Sequence, residues 1–281
     1  MSARTALPLI ATVAALVVVS TGCTSTKTAG SDGSKIELVT AGKLTTCTHL
    51  PYEPFQSRQG NKVVGFDVDI VDLVAKELKV TQEIVDTPFE GIQTGEDLNA
   101  GKCDVAAAGM TITPVREENL DFSGPYFDAT QALIAKKGSP YTSLAALKGK
   151  KLGVQQGTTG ETYAKKNGVG VETVQFEDVA LLLTAVKTGQ VDAAVNDNGV
   201  LFEYVRKNPE MAVTAEFETG EKYGIGVRTG NTALRKEIDK VVKAARADGR
   251  YDALYKKWFP AAPKADPKVD AQADPKADPK K

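Results

Sequence analysis

Residues 104–116 read Asp104-Val105-Ala106-Ala107-Ala108-Gly109-Met110-Thr111-Ile112-Thr113-Pro114-Val115-Arg116. Asp104 to Met110 is almost wholly apolar and small, the pattern of a strand buried on both faces. Thr113 then fits a helix N-cap and Pro114 the first helical position. Arg116 therefore falls on the first turn of a helix that follows a buried strand. A guanidinium there can grip a carboxylate with two parallel hydrogen bonds, and backbone N–H groups at the helix start point the same way. The alternative for Arg116 is a surface ion pair with an acid such as Glu118. Thr111 could simply satisfy strand-edge backbone groups.

Outward from this stretch, strand and helix patterns alternate, which favours a largely parallel sheet. Before it come a strand at Lys43 to Thr48, a helix at Val68 to Leu78 with Val71, Val74, Ala75 and Leu78 on one face, a strand at Thr81 to Val85 and a helix at Gly91 to Ala100. After Pro125 a second unit begins. It has strands at Gln131 to Ala135, Lys151 to Val154, Val191 to Val195 and Tyr223 to Val227. Its helices are Leu144 to Leu147, Glu161 to Lys166, Val179 to Lys187, Thr232 to Ala247 and Tyr251 to Trp258. Ala100 to Gly109 and Thr188 to Asp197 echo one another as helix end, glycine cap and small-residue strand. The echo suggests two similar lobes, with the strand ends at Gly109 and Asp197 facing across a cleft.

Both ends of the chain read as non-globular. Arg4, the apolar run Ala6 to Val19 and Ser20-Thr21-Gly22-Cys23 form a targeting segment, too short to span a membrane as an ordinary helix. It resembles a bacterial lipoprotein signal at residues 1–22, with Cys23 the lipidated first residue and Ser20 the one departure. Ordinary secretion with cleavage near Cys23 is the alternative. Residues 23–35 read as a flexible tether, and 261–281, with its Ala-Asp-Pro-Lys repeats, as a disordered Pro/Lys/Asp tail.

Net charge is −1 with both signs mixed, so no basic stripe argues for nucleic acid. A single histidine, His49, and no Cys-x-x-Cys argue against a zinc site, and no cofactor is expected. Cys47 and Cys103 can pair in an exported protein. Cys47 lies late in its strand and Cys103 opens another, so the Cα separation could exceed the limit of roughly 7 Å, and the pairing stays open.

The remaining candidates lie in loops after strands. Two prolines and two aromatics in Thr48 to Phe55 suggest a ring at the cleft, Tyr52, or a rigid loop with Phe55 in the core. Phe89 could supply a second ring, the two sandwiching a ligand side chain. Gln156-Gly157-Thr158-Thr159-Gly160 opens a helix without the Gly-Lys-Ser/Thr ending of a Walker loop, and suits a carboxylate better than a polyphosphate. Asp197, flanked by Asn196 and Asn198, is an ammonium ligand or a turn residue. Arg116 and helix N–H groups for a carboxylate, Asp197, Thr111 and the Gly109 carbonyl for an ammonium, and Tyr52 and Phe89 beyond the α-carbon complement one molecule, an α-amino acid.

Tyr52-Glu53-Pro54-Phe55, Gly65-Phe66-Asp67-Val68-Asp69, Gly109 to Arg116, Asp121 to Tyr126 and Lys256-Lys257-Trp258-Phe259 together resemble the extracellular solute-binding proteins of family 3, the polar amino acid receptors of ABC importers. The resemblance implies an α/β, type II periplasmic-binding-protein fold: lobe one at 36–129 plus 224–260, lobe two at 130–223, and a hinge of two segments. It implies a monomeric receptor, lipid-anchored outside the cytoplasm, that closes on its ligand and presents it to a permease. It assigns Arg116 to the ligand carboxylate and Asp197 to the ammonium. Gly109, Thr111 and Thr159 become backbone or hydroxyl contacts and Tyr52 and Phe89 walls, while Gln155 and Asn196 tune selectivity. His49 stands where the family often has the Asp that binders of cationic side chains exploit. That departure, with Gln155, Asn196 and Asn198, leans toward a side chain like that of glutamine or glutamate. Relatives on this scaffold include dehydratases, for which His49 or Glu90 could be a general acid. A ligand-sensing lipoprotein is a further alternative.

Overall fold

The computed structural model describes residues 26–29 and 35–260. The signal segment, Cys23 and the Pro/Lys/Asp tail lie outside the described residues. Among those described, no helix is long and apolar enough to cross a membrane.

The chain opens with β1 (Thr26–Ala29) paired antiparallel to β2 (Lys35–Leu38). The stretch read as a tether thus contains a strand, because Lys35–Leu38 is an edge whose backbone groups need partners. Then follow β3 (Lys43–Thr48), the short antiparallel pair β4 (Ser57–Gln59) and β5 (Lys62–Val64), α1 (Phe66–Glu77) and β6 (Thr81–Asp86). Next come α2 (Phe89–Gln93), α3 (Glu96–Asn99), β7 (Val105–Ala106), the single turn α4 (Pro114–Glu117) and β8 (Leu120–Phe122). The second half holds β9 (Phe127–Lys136), β10 (Lys151–Gln155), α5 (Thr159–Asn167), β11 (Glu172–Phe176), α6 (Val179–Thr188), β12 (Ala193–Asp197), α7 (Asn198–Lys207) and β13 (Met211–Tyr223). The chain returns through β14 (Gly226–Arg228) to α8 (Thr232–Ala247) and α9 (Arg250–Trp258).

These strands build two five-stranded sheets, ordered β6-β3-β7-β14-β8 and β11-β10-β12-β9-β13. In each, the first three strands are parallel and the fourth is antiparallel to the third. The sheets are therefore mixed rather than largely parallel: β9 and β14, the strands by which the chain enters a sheet from the other, run against the helix-connected strands beside them. Position by position, β7 corresponds to β12, so the echo between 100–109 and 188–197 has a topological counterpart. Residues 124–126 and 224–225 carry the chain between the sheets. They run side by side, with Tyr126 N–H donating to the Tyr223 carbonyl and Ser123 N–H to that of Ile225.

Local sequence explains most elements. In α8, Asn231 caps by accepting from Leu234 N–H, and Leu234, Ile238, Val241, Val242 and Ala245 are buried along one face that packs on α1. Each such aliphatic side chain contributes roughly 1.5–3 kcal/mol on full burial. In α6, Asp178 accepts from Leu181 N–H, and Gly189 ends the helix in the left-handed region, φ 84°. Gly65 tolerates no side chain: a Cβ there would lie 1.9 Å from the Phe55 carbonyl oxygen.

Three further readings are corrected. The strand expected over Asp104 to Met110 is only Val105–Ala106, since Gly109 at φ 57° breaks the extended run. The helix expected over Gly91 to Ala100 is two short helices, divided at Gly95 with φ 76°. Asp197 is not a turn residue; β12 passes directly into α7. Cys47 and Cys103 form a disulfide with a Cα separation of 5.6 Å. Cys103 precedes the shortened β7 and so is free of the sheet's spacing.

Candidate functional site

The C-terminal ends of β3, β7, β10 and β12 converge between the sheets. His49, Tyr52, Gln56, Phe89, Ala108, Gly109, Arg116, Gln155, Thr158 and Asp197 line a cavity of about 20 Å³. That is room for about one water molecule. A wider cleft of about 610 Å³ reaches Arg116, Thr158, Thr159 and Glu221 from the solvent side.

Thr113 caps α4 by accepting from Arg116 N–H, as the sequence indicates. The Arg116 side chain turns inward and is 5% exposed, which removes the surface ion pair with Glu118. Its Nη1 donates to the Thr111 carbonyl at 2.8 Å and its Nη2 to that of Gly157 at 3.0 Å. The guanidinium also lies over the Phe89 ring, 5.3 Å from the centroid. Phe89 is thus both a wall of the cavity and a platform for Arg116. Burial pushes the Arg116 pKa down, opposed by the carboxylates of Asp197 and Glu221. Guanidinium nevertheless stays protonated, and it retains N–H groups beyond those two bonds.

Asp197 lies at the opposite side, 5% exposed. It accepts from Tyr52 Oη at 2.8 Å, from Gln131 Nε2 at 2.5 Å and from Tyr223 Oη. Burial raises its pKa to about 6, helped by the Glu221 charge, while the hydrogen bonds pull it back. Gly109 sits between the lobes because its positive φ and a Cβ position 2.8 Å from Tyr52 Cε1 exclude a side chain. Its N–H donates to Asp67 Oδ2 at 2.7 Å, and Tyr126 Oη donates to Oδ1 of the same carboxyl. Burial raises the Asp67 pKa to about 7 against those two bonds.

His49 Nδ1 lies 3.0 Å from the Thr87 carbonyl. A carbonyl only accepts, so Nδ1 carries the proton and Nε2, which has no partner, is an acceptor in the neutral ring. Gln56 Oε1 is likewise buried without a partner. Gln155 Oε1 is 3.4 Å from Asn196 Nδ2, and Asn196 Oδ1 lies 2.8 Å from Tyr52 Oη, whose single proton it shares with Asp197.

Of the ten residues picked from sequence, seven line the cavity. Asn196, Thr111 and Thr159 do not line it; Thr159 lies instead on the wider cleft, and the two threonine hydroxyls donate to Glu221 Oε2 at 2.9 and 2.8 Å. The helix start at 157–160 is also less free than expected: Gly157 N–H donates to Glu161 Oε2, and the Thr158 hydroxyl accepts from Glu161 N–H. Sequence reasoning missed Gln56, Gln131, Tyr223 and Glu221. Gln56 directly follows the aromatic loop and was within reach, but the other three lie on β9 and β13, where nothing local signals a site. Among the described residues no cluster of three or more His, Cys, Asp or Glu could hold a metal ion.

The family profile of the bacterial extracellular solute-binding proteins, family 3, matches residues 44–261. The chain belongs to that family. It is 36% identical over 206 residues to the ABC transporter glutamine-binding protein GlnH of Bacillus subtilis (strain 168), covering 72% of this chain and 75% of the relative. It is 31% identical over 226 residues to ABC transporter arginine-binding protein 1 of Escherichia coli (strain K12), covering 78% and 92%. A solved ancestral arginine-binding protein bound to arginine superposes with a TM-score of 0.74 at 43% identity, covering 78% of this chain and 98% of that one. The fold is the type II periplasmic-binding-protein fold, two α/β lobes joined by a two-segment hinge, and the homologues are amino acid-binding proteins of ABC transporters.

Proposed function

We propose that this protein is a monomeric extracytoplasmic receptor that binds a polar α-amino acid between its lobes, 36–129 plus 224–260 and 130–223, and delivers it to an ABC importer. The observation that carries the reading is one buried cation, Arg116, and one buried carboxylate, Asp197, lining the same cavity from different lobes. That pair complements the carboxylate and ammonium of a zwitterion. Gly109, Thr111 and Thr159 add backbone and hydroxyl contacts, and Tyr52 and Phe89 confine the ligand's carbon chain. Closure is favoured because neither lobe alone supplies both charges. Cys23 anchors the receptor to the membrane through lipid, and the mature chain acts outside the cytoplasm.

Selectivity rests on His49 Nε2 and Gln56 Oε1, two acceptors without partners, with Gln155 and Asn196 beside them. Such a wall takes a side chain that donates N–H. A carboxamide fits it without a charge partner, and the relatives bind glutamine as well as arginine. Calorimetric titration with the twenty proteinogenic amino acids tests this, and glutamine is expected among the tight binders. Tight binding of arginine or lysine alone would refute the uncharged preference, and binding of no amino acid would refute the receptor reading itself.

A further inference from the structure

Glu221 lies on β13, half-buried, two residues before Tyr223 and on the same side of the strand. Its Oε2 accepts from the hydroxyls of Thr111, on the first-sheet side, and Thr159, at the start of α5. Gln131 Nε2 lies 3.1 Å from both Glu221 oxygens and 2.5 Å from Asp197 Oδ1. One carboxylate on the crossing strand therefore holds two hydroxyls at the cleft and the amide that donates to Asp197.

Proton bookkeeping gives this arrangement a chemical consequence. An ionised carboxylate only accepts, and a threonine hydroxyl has a single proton. Once that proton is committed to Glu221, each hydroxyl offers its remaining partners lone pairs alone. Thr159 already uses one such pair toward Gln131 Nε2 at 3.3 Å. Thr111 is thereby set to accept from a cation and to repel an anion. Glu221 and Asp197 share Gln131 Nε2, so the two carboxylates lie next to one another, and both charges act on Arg116.

Resting on the amino-acid reading above, we propose that Glu221 is the positioning residue of the ammonium end: it turns the Thr111 and Thr159 hydroxyls into acceptors and holds Gln131 on Asp197. It acts through these side chains and need not touch the ligand.

The test is calorimetric affinity for L-glutamine and L-arginine in wild type, Glu221→Gln, Thr111→Val and the double variant, with melting temperatures measured alongside. Glu221→Gln is expected to weaken binding about tenfold, the scale of one charge-assisted bond, at an unchanged melting temperature. The double variant is expected to be no weaker than the worse single variant, because the two act as one unit. Glu221→Asp, which keeps the charge but withdraws it, is the second variant should Glu221→Gln fold poorly, and an intermediate affinity is expected from it. Unchanged affinity or fully additive losses overturn the proposal. Tighter binding by Glu221→Gln also overturns it, since Glu221 would then be occupying the place of the ligand's own carboxylate. If wild type binds no amino acid, the receptor reading fails and this inference with it, whereas wild-type binding with an indifferent Glu221 overturns only the inference.

Discussion

Arg116 shows how a residue's meaning depends on which way it points. Its position on the first turn of α4 is local, but its burial, its bonds to the Thr111 and Gly157 carbonyls and its stacking on Phe89 join both lobes. Removing it takes away charge-assisted bonds worth roughly 1.5–3 kcal/mol each. Arg116→Ala should therefore weaken amino acid binding at least about tenfold while circular dichroism stays native. Equal affinity would reduce Arg116 to a scaffold residue. Asp197 supplies the second residue-scale prediction. Its charged form attracts the ammonium, so binding should be full at neutral pH and weaken as pH falls through about 6. The stability of the unliganded protein has the opposite sign. A carboxyl whose folded pKa is raised binds more protons folded than unfolded, so between the model-compound value of 3.8 and about 6 acidification favours the folded state. Asp67, raised to about 7, adds in the same direction. Titration calorimetry at pH 7.5 and 5 should show the loss of affinity, and Asp197→Asn should remove the pH dependence together with most of the binding.

At the scale of elements, the binding loops are fixed by what stands behind them. β3 carries the His49 to Gln56 loop, and the Cys47–Cys103 disulfide ties the end of that strand to the turn before β7. The bridge closes a loop with a sequence separation of 56. By loop-closure entropy, replacing both cysteines with alanine should cost about 2–4 kcal/mol, visible as a lower urea midpoint. An unchanged midpoint would mean that the packing of Phe89, Ile92, Leu98 and Met110 around the bridge holds this region without it. Gly109 acts at the same scale. By ending the strand early, it turns the chain so that Ile112 N–H reaches the Lys222 carbonyl and Thr111 meets the crossing strand.

The whole molecule is two copies of one strand order joined by two antiparallel segments, with an aromatic cluster of Phe55, Phe66, Phe127, Tyr223 and Phe259 packed at the crossing. Tyr52 to Asp197, Arg116 to Gly157 and Thr111 to Glu221 all bridge the two halves of the cleft. In the receptor proposed above, a ligand held by Arg116 and Asp197 would add to these bridges and favour the closed form. The lipid anchor proposed at Cys23 belongs to this scale. Cys23→Ala should move the protein from the membrane to the soluble extracytoplasmic fraction, as followed by fractionation and immunoblot; retention would count against lipid anchoring.

By itself, the sequence determined the alternating α/β character, the family and the ends of several helices, and it named Arg116 and Asp197 as candidates, which the structure brings to one cavity. Those properties are written locally, in periodicity, caps and short motifs such as Thr113-Pro114-Val115-Arg116. The helix from Thr232 to Ala247 was legible to the residue because its cap and apolar stripe agree. The tertiary structure alone decided the mixed strand directions, the shortened β7, the disulfide geometry and the unanticipated strands β11 and β13. It also decided which polar groups stand behind the cavity. Gln131, Tyr223 and Glu221 gain their roles only because two distant strands pair side by side at the crossing, with β9 running from Phe127 to Lys136 and β13 from Met211 to Tyr223. Proximity across that crossing is set by packing, and no local pattern of residues encodes it.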